Sequence, residues 1–95
     1  ESIIKRSYCY PNPIRDGWGT IRVETISGQK VEVLLYDLAG FYVDSYSLDI
    51  GGLGNQISEW RWQTKDVEAG VYFANVVVSG NKKTESAIIK IAVID

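Results

Sequence analysis

The stretch Glu68-Ala69-Gly70-Val71-Tyr72-Phe73-Ala74 decides the fold. An acidic residue and two small residues precede a tyrosine that enters an apolar run. In antiparallel two-sheet structures this order marks a corner. The tyrosine sits near the start of a strand, and its hydroxyl bonds back to the backbone a few residues upstream. From Gly70 the run continues to Ser79. At the two-residue period of a strand, Tyr72, Ala74, Val76 and Val78 share one face.

The pattern extends in both directions from this strand. Downstream, Gly80-Asn81 turns the chain, and residues 83–94 form a last strand with Ala87, Ile89, Ile91 and Val93 inward. Upstream, residues 64–69 are a connection, and residues 56–63 a strand with Trp60 and Trp62 on one face. Gly51-Gly52-Leu53-Gly54-Asn55 is a flexible link. Asp37-Leu38-Ala39-Gly40 reads as a tight turn, with Asp first and Gly fourth. It joins residues 30–37, where Val31, Val33 and Leu35 share a face, to a return strand over 41–48. Ser27-Gly28-Gln29 reads as a hairpin loop after residues 20–26, where Ile21 and Val23 alternate with Arg22 and Glu24. Asp16-Gly17 is another turn. Before it, Pro11-Asn12-Pro13 stops a short extended run over 7–10. Proline lacks a backbone donor, which suits an edge strand.

Seven strands, with turns about every ten residues, describe an all-β protein. The expected fold is an immunoglobulin-like or fibronectin III-like antiparallel β-sandwich. In disulfide-bonded sandwiches of this kind a cysteine stands two residues after the corner tyrosine. Here that residue is Ala74, and Cys9 is the only cysteine, so no disulfide forms within the chain. Residues 1–95 make one domain, with an expected radius of gyration of about 12 Å. The chain begins at Glu1 rather than Met, which suggests a piece cut from a longer protein.

Composition narrows the function. With 45% hydrophobic residues and a formal charge of -2, the chain is expected to fold, and it does not suit a nucleic-acid polyanion. It holds no apolar run long enough for a transmembrane helix. It has no His, which removes the commonest general base and metal ligand. Cys9 therefore has no base to activate it and too few companions for zinc. Asp37, Asp44 and Asp49 lie at or near turns, where Asp satisfies backbone groups, and no calcium loop of alternating carboxylates appears. We expect no catalysis, no metal and no cofactor. Trp18, Trp60 and Trp62, with Tyr36, Tyr42 and Tyr46, are an aromatic excess. The three tryptophans could form a platform for a sugar ring, or they could fill the core and cover a loop, the commoner use of aromatics in small β-proteins. The aliphatic last strand is an aggregation hazard, or a handle for self-association through a sheet edge, unless something covers it.

The order of motifs carries a resemblance. Tyr10-Pro11-Asn12-Pro13 comes first, then Thr20-Ile21-Arg22-Val23. Val33-Leu34-Leu35-Tyr36-Asp37-Leu38-Ala39-Gly40 follows, then Trp62, then Ala69-Gly70-Val71-Tyr72-Phe73 and a lysine-bearing final strand. This order resembles the C-terminal sorting domains of proteins exported by the type IX secretion system, and the related Ig-like module of the flagellar hook-capping protein. The resemblance implies a β-sandwich at the end of a secreted or cell-surface bacterial protein, exported by way of the periplasm. It implies outer-membrane secretion machinery and a sortase-like peptidase as partners, with a cargo domain on the N-terminal side. It carries Lys90, Ile91, Ala92, Val93, Ile94 and Asp95 as the recognised segment, and leaves Gly70 and Tyr72 as the structural corner. A spacer or docking domain, or a carbohydrate-binding module, are the other readings of such a fold.

Overall fold

A computed structural model describes residues 2–94. It contains seven strands: β1 (Ile4–Tyr10), β2 (Trp18–Ile26), β3 (Gly28–Asp37), β4 (Tyr42–Asp49), β5 (Asn55–Gln63), β6 (Gly70–Gly80) and β7 (Thr84–Val93). They form a three-stranded sheet in the order β1-β2-β5 and a four-stranded sheet in the order β4-β3-β6-β7. All neighbouring strands are antiparallel. The two sheets stack into the expected immunoglobulin-like sandwich, with a radius of gyration of 13.2 Å.

The alternation written in the sequence is the alternation in space. On the four-stranded sheet Val31, Val33, Leu35, Tyr72, Ala74, Val76, Val78, Ile89, Ile91 and Val93 are buried. Ile21, Val23 and Trp62 face them from the other sheet. Each such Val, Leu or Ile side chain contributes roughly 1.5–3 kcal/mol by leaving water. Val43, Tyr46 and Trp60 extend the core toward its β4–β5 side. There Tyr46 and Trp60 stack across the two sheets, with centroids 5.3 Å apart and planes 8° from parallel.

One connection differs from its sequence reading. Ser27-Gly28-Gln29 is not a hairpin loop, because β2 and β3 lie in different sheets. A single residue, Ser27, with φ of 56°, carries the chain across, and Gly28 already belongs to β3. Gly28 packs so closely under Val78 that a Cβ would come within 2.9 Å of its Cγ1. Strand β1 also starts earlier than the sequence suggests. The amides of Ile3 and Ile4 donate to Glu85 Oε1 at 2.7 and 2.9 Å, which draws the entering chain against β7.

The corner forms as read. The Tyr72 hydroxyl donates to the Glu68 carbonyl, and the ring meets Trp62 edge to face at 5.6 Å and 74°. The turn after β3 is also as read. The Gly40 amide donates to the Asp37 carbonyl at 3.0 Å, and Gly40 takes the φ of 91° that a side chain resists. Replacing Tyr72 by Phe keeps the ring and removes the hydroxyl bond. We predict a loss of about 1 kcal/mol for Tyr72→Phe and about 3–5 kcal/mol for Tyr72→Ala, measured by urea unfolding followed through tryptophan fluorescence.

Candidate recognition surface

Strand β7 is an edge strand: among the described strands its sheet neighbour is β6 alone. An edge normally leaves a row of unpaired amides and carbonyls. Along residues 90–94 this edge is closed by residues 12–14. Asn12 Nδ2 donates to the Lys90 carbonyl at 2.9 Å, and the Ala92 amide donates to Asn12 Oδ1 at 3.1 Å. The Ile14 amide then donates to the Ala92 carbonyl, and the Ile94 amide to the Ile14 carbonyl, both at 2.8 Å. Ile14 and Val93 make a parallel bridge.

The local sequence explains this clasp. Pro11 and Pro13 follow cis peptide bonds and offer no N–H to a neighbouring strand. The carboxamide of Asn12 supplies the donor and the acceptor that the prolines cannot. Ile14 anchors the clasp with a fully buried side chain. Its place exists because residue 19 is glycine: a Cβ there would come within 2.7 Å of Ile14 Cγ1 and 3.1 Å of Cys9 Sγ. The edge of the final residues is therefore covered, which is the condition that the sequence reading set for removing the aggregation hazard. The expected self-association handle is closed along residues 90–94.

The candidate recognition residues divide by face. Ile91 and Val93 are buried in the core. Lys90 and Ala92 point outward, with Lys90 exposed and Ala92 half-buried. Ile94 follows the strand and is 38% exposed. Asp95 lies outside the described residues.

The three tryptophans do not assemble into one platform. Trp62 is buried in the core, and Trp60 is half-buried against Tyr46. Trp18 lies on the outer face of the other sheet, under the Arg61 guanidinium at 3.9 Å from its ring centroid. The sequence drew attention to tryptophan; the aromatic row on the outer face of the four-stranded sheet is exposed Tyr42 with half-buried Tyr36 and Phe73, adjacent through strand register. Sequence reading named the first two within the aromatic excess and quoted Phe73 only within the corner motif. It missed the clasp formed by Asn12 and Ile14. An asparagine held between two prolines was the available signal.

The ionisable groups perform structural work. Burial pushes the Cys9 thiol up to about 11 and keeps it protonated at neutral pH. Asp37 Oδ1 accepts the Phe41 amide at 2.9 Å within its turn. Among the described residues no group of three or more His, Cys, Asp or Glu is placed to hold a metal ion. Glu59 accepts from Arg22 Nη1 and from the Tyr10 hydroxyl, both at 2.8 Å, and these bonds lower its pKa. The Glu85 carboxyl is held below its ordinary pKa, first by the Ile4 amide, then by the Ile3 amide and Lys83.

A family model described as the secretion system C-terminal sorting domain matches residues 8–90. The chain belongs to that family, whose members are sorted by the type IX system. It is part of a secreted or cell-surface protein exported by way of the periplasm. Among solved structures, a crystal structure of Parabacteroides merdae beta-glucuronidase with glycerol in its active site is similar, with a TM-score of 0.62 and 17% identity. That match covers 95% of this chain and 13% of the enzyme's. A second crystal structure of the same enzyme matches with a TM-score of 0.54 and 22% identity, over 98% of this chain and 13% of that one. The chain thus spans a small part of the proteins it resembles, and at these identities the likeness concerns the fold alone. No curated protein matches it.

Two predictions follow from the geometry at β7. The folded pKa of Glu85 lies below its unfolded value, so its contribution to stability is present above the ordinary carboxylate range. That contribution is lost as pH falls through the folded value. Glu85→Gln should flatten the dependence of stability on pH below about 5, as read by urea midpoints across a pH series. Asn12→Ala should leave the Lys90 carbonyl and the Ala92 amide without their partner. Hydrogen exchange at the Ala92 amide should accelerate at least about tenfold, while the amides of β6 change little.

Proposed function

We propose that the chain is a non-catalytic sorting module that directs a cargo on its N-terminal side through the type IX secretion system to the cell surface or medium. The recognised segment is Lys90 to Asp95. The outer-membrane machinery reads it, and a sortase-like peptidase then acts on the exported protein. The observation that carries this reading is the sorting-domain match across residues 8–90. The geometry supports it: the fold fixes residues 90–94 in one conformation, with Lys90 and Ala92 turned outward.

The test is export of a periplasm-directed fluorescent reporter that carries residues 1–95 at its C-terminus, in a bacterium with a type IX system. Removing all of residues 90–95 would take buried Ile91 and Val93 from the core, so the informative deletion is shorter. Deleting Ile94 and Asp95 spares both. The full fusion is expected in the medium or on the surface. The deletion should cut export at least about tenfold with unchanged circular dichroism, a loss worth about 1.4 kcal/mol if recognition is an equilibrium step. A full fusion that stays in the periplasm while folded would overturn the sorting reading.

A further inference from the structure

The two outer faces of the sandwich differ in kind. The three-stranded sheet presents an ion-paired ladder. Arg22 bonds Glu24 at 2.9 Å and Glu59 at 2.8 Å, Tyr10 bonds the same Glu59 oxygen, and Arg61 lies over Trp18. That is how a sheet face meets water. Among the described residues the four-stranded sheet carries no such ladder, and its outward charges on β3, Glu32 and Lys30, lie toward the end of the sheet away from Tyr36. Strand register sets Tyr42 beside Tyr36, Tyr36 beside Phe73, and Phe73 beside Lys90. The next row runs Ser45, Leu34, Asn75 and Ile88. Tyr42 is 60% exposed and Ile88 71% exposed. Strand β6 itself is apolar on both sides over most of its length, with Val71, Phe73 and Val77 outward. Such a run is the pattern of a strand covered on both faces, not of one half-open to solvent. Four strands at the usual spacing make a patch roughly 15 Å wide. Contiguous apolar patches of a few hundred Å² on a monomer are often functional.

Three observations identify what covers this face. First, it is continuous with the recognised segment, because Lys90 and Ala92 project from it. Second, the other two sides of that segment are already occupied: the core takes Ile91 and Val93, and Asn12 and Ile14 take the edge. Third, the upstream chain enters elsewhere. Ile3 packs at Gly80 and bonds Glu85; Gly80 lies seven residues along β6 from Phe73, or about 23 Å at strand rise. Lys90 forms no ion pair among the described residues and stands exposed at the end of the aromatic row.

We infer that the outer face of the four-stranded sheet, centred on the row Tyr42, Tyr36, Phe73 and Lys90, docks a protein of the secretion machinery. The partner's surface is apolar and sets a carboxylate against Lys90. The inference rests on the sorting reading and makes it more specific. The signal is read as a sheet face, and strand addition along residues 90–94 is blocked by the clasp.

The experiment uses the same reporter fusion with Tyr42→Glu and Ile88→Glu combined, both at exposed positions. The control is Ile57→Glu, 58% exposed on the other sheet's outer face. Circular dichroism and thermal unfolding establish that each variant folds. Light scattering on the isolated domain gives its association state. The expected result is export of the parent and of Ile57→Glu, with at least a tenfold loss for the double variant. Normal export of the folded double variant overturns the inference and leaves the sorting reading standing. Failure of the parent fusion overturns both. A domain that dimerises in solution, with the double variant monomeric, makes a second copy the occupant and overturns the machinery as partner.

Discussion

The closure of β7 by Asn12 and Ile14 is the interaction on which the last strand of the sandwich depends. Ile91 and Val93 are buried only while the last strand stays on the sheet, and that strand has a single neighbour in its ladder. A strand paired on one side only opens more readily than one paired on both. Four hydrogen bonds from residues 12–14 give it a second partner over residues 90–94. Those residues enter from the end of β1, which belongs to the other sheet. The clasp therefore ties the sheets together along the side where β1 and β7 meet. Glu85 does the same further along that side, by accepting the amides of Ile3 and Ile4. The opposite side is held by the stacking of Tyr46 on Trp60.

The clasp depends in turn on an absence. Gly19 has no side chain, and the space left beside Cys9 receives Ile14. This is how a small residue within a strand acts at a distance: it admits a neighbour's side chain, and that neighbour's backbone then sets the edge of a third element. Gly28 does similar work at the crossing between sheets, where it lets β3 begin directly under Val78 and Ile50. With only Ser27 as a link, β2 and β3 cannot drift apart, so the spacing between the two inner faces is set at that point.

The inner architecture was legible because it is periodic. Val31, Val33 and Leu35, and Tyr72, Ala74, Val76 and Val78, alternate as a strand must, and they occupy the core as the alternation requires. The corner was legible because Tyr72 bonds a carbonyl only four residues upstream, a distance at which local sequence still specifies geometry. The crossing at Ser27 was misread because a polar residue and a glycine between two strands look alike whether the chain returns to the same sheet or changes sheet. The clasp was invisible because Asn12 and Lys90 are 78 residues apart and nothing in either neighbourhood names the other. The tryptophans were weighed by residue type, yet burial separates them. Trp60 and Trp62 fall on the inward phase of β5, whereas Trp18 falls on the outward phase of β2. Phase, once register is known, sorts aromatics better than identity does.

That phase also bears on how a terminal segment works as a signal. Under the sorting reading, the recognised residues alternate between core and surface over 90–93. Ile91 and Val93 hold the segment, while Lys90 and Ala92 display it. A segment built this way is presented only when the whole sandwich has formed. In the unfolded chain the same residues are a short aliphatic run with no fixed face and no Phe73 beside Lys90. Folding places Lys90 at the end of an aromatic row drawn from three other strands, β4, β3 and β6. Recognition of that row would make export conditional on a folded domain, so the signal would report the state of the domain that carries it.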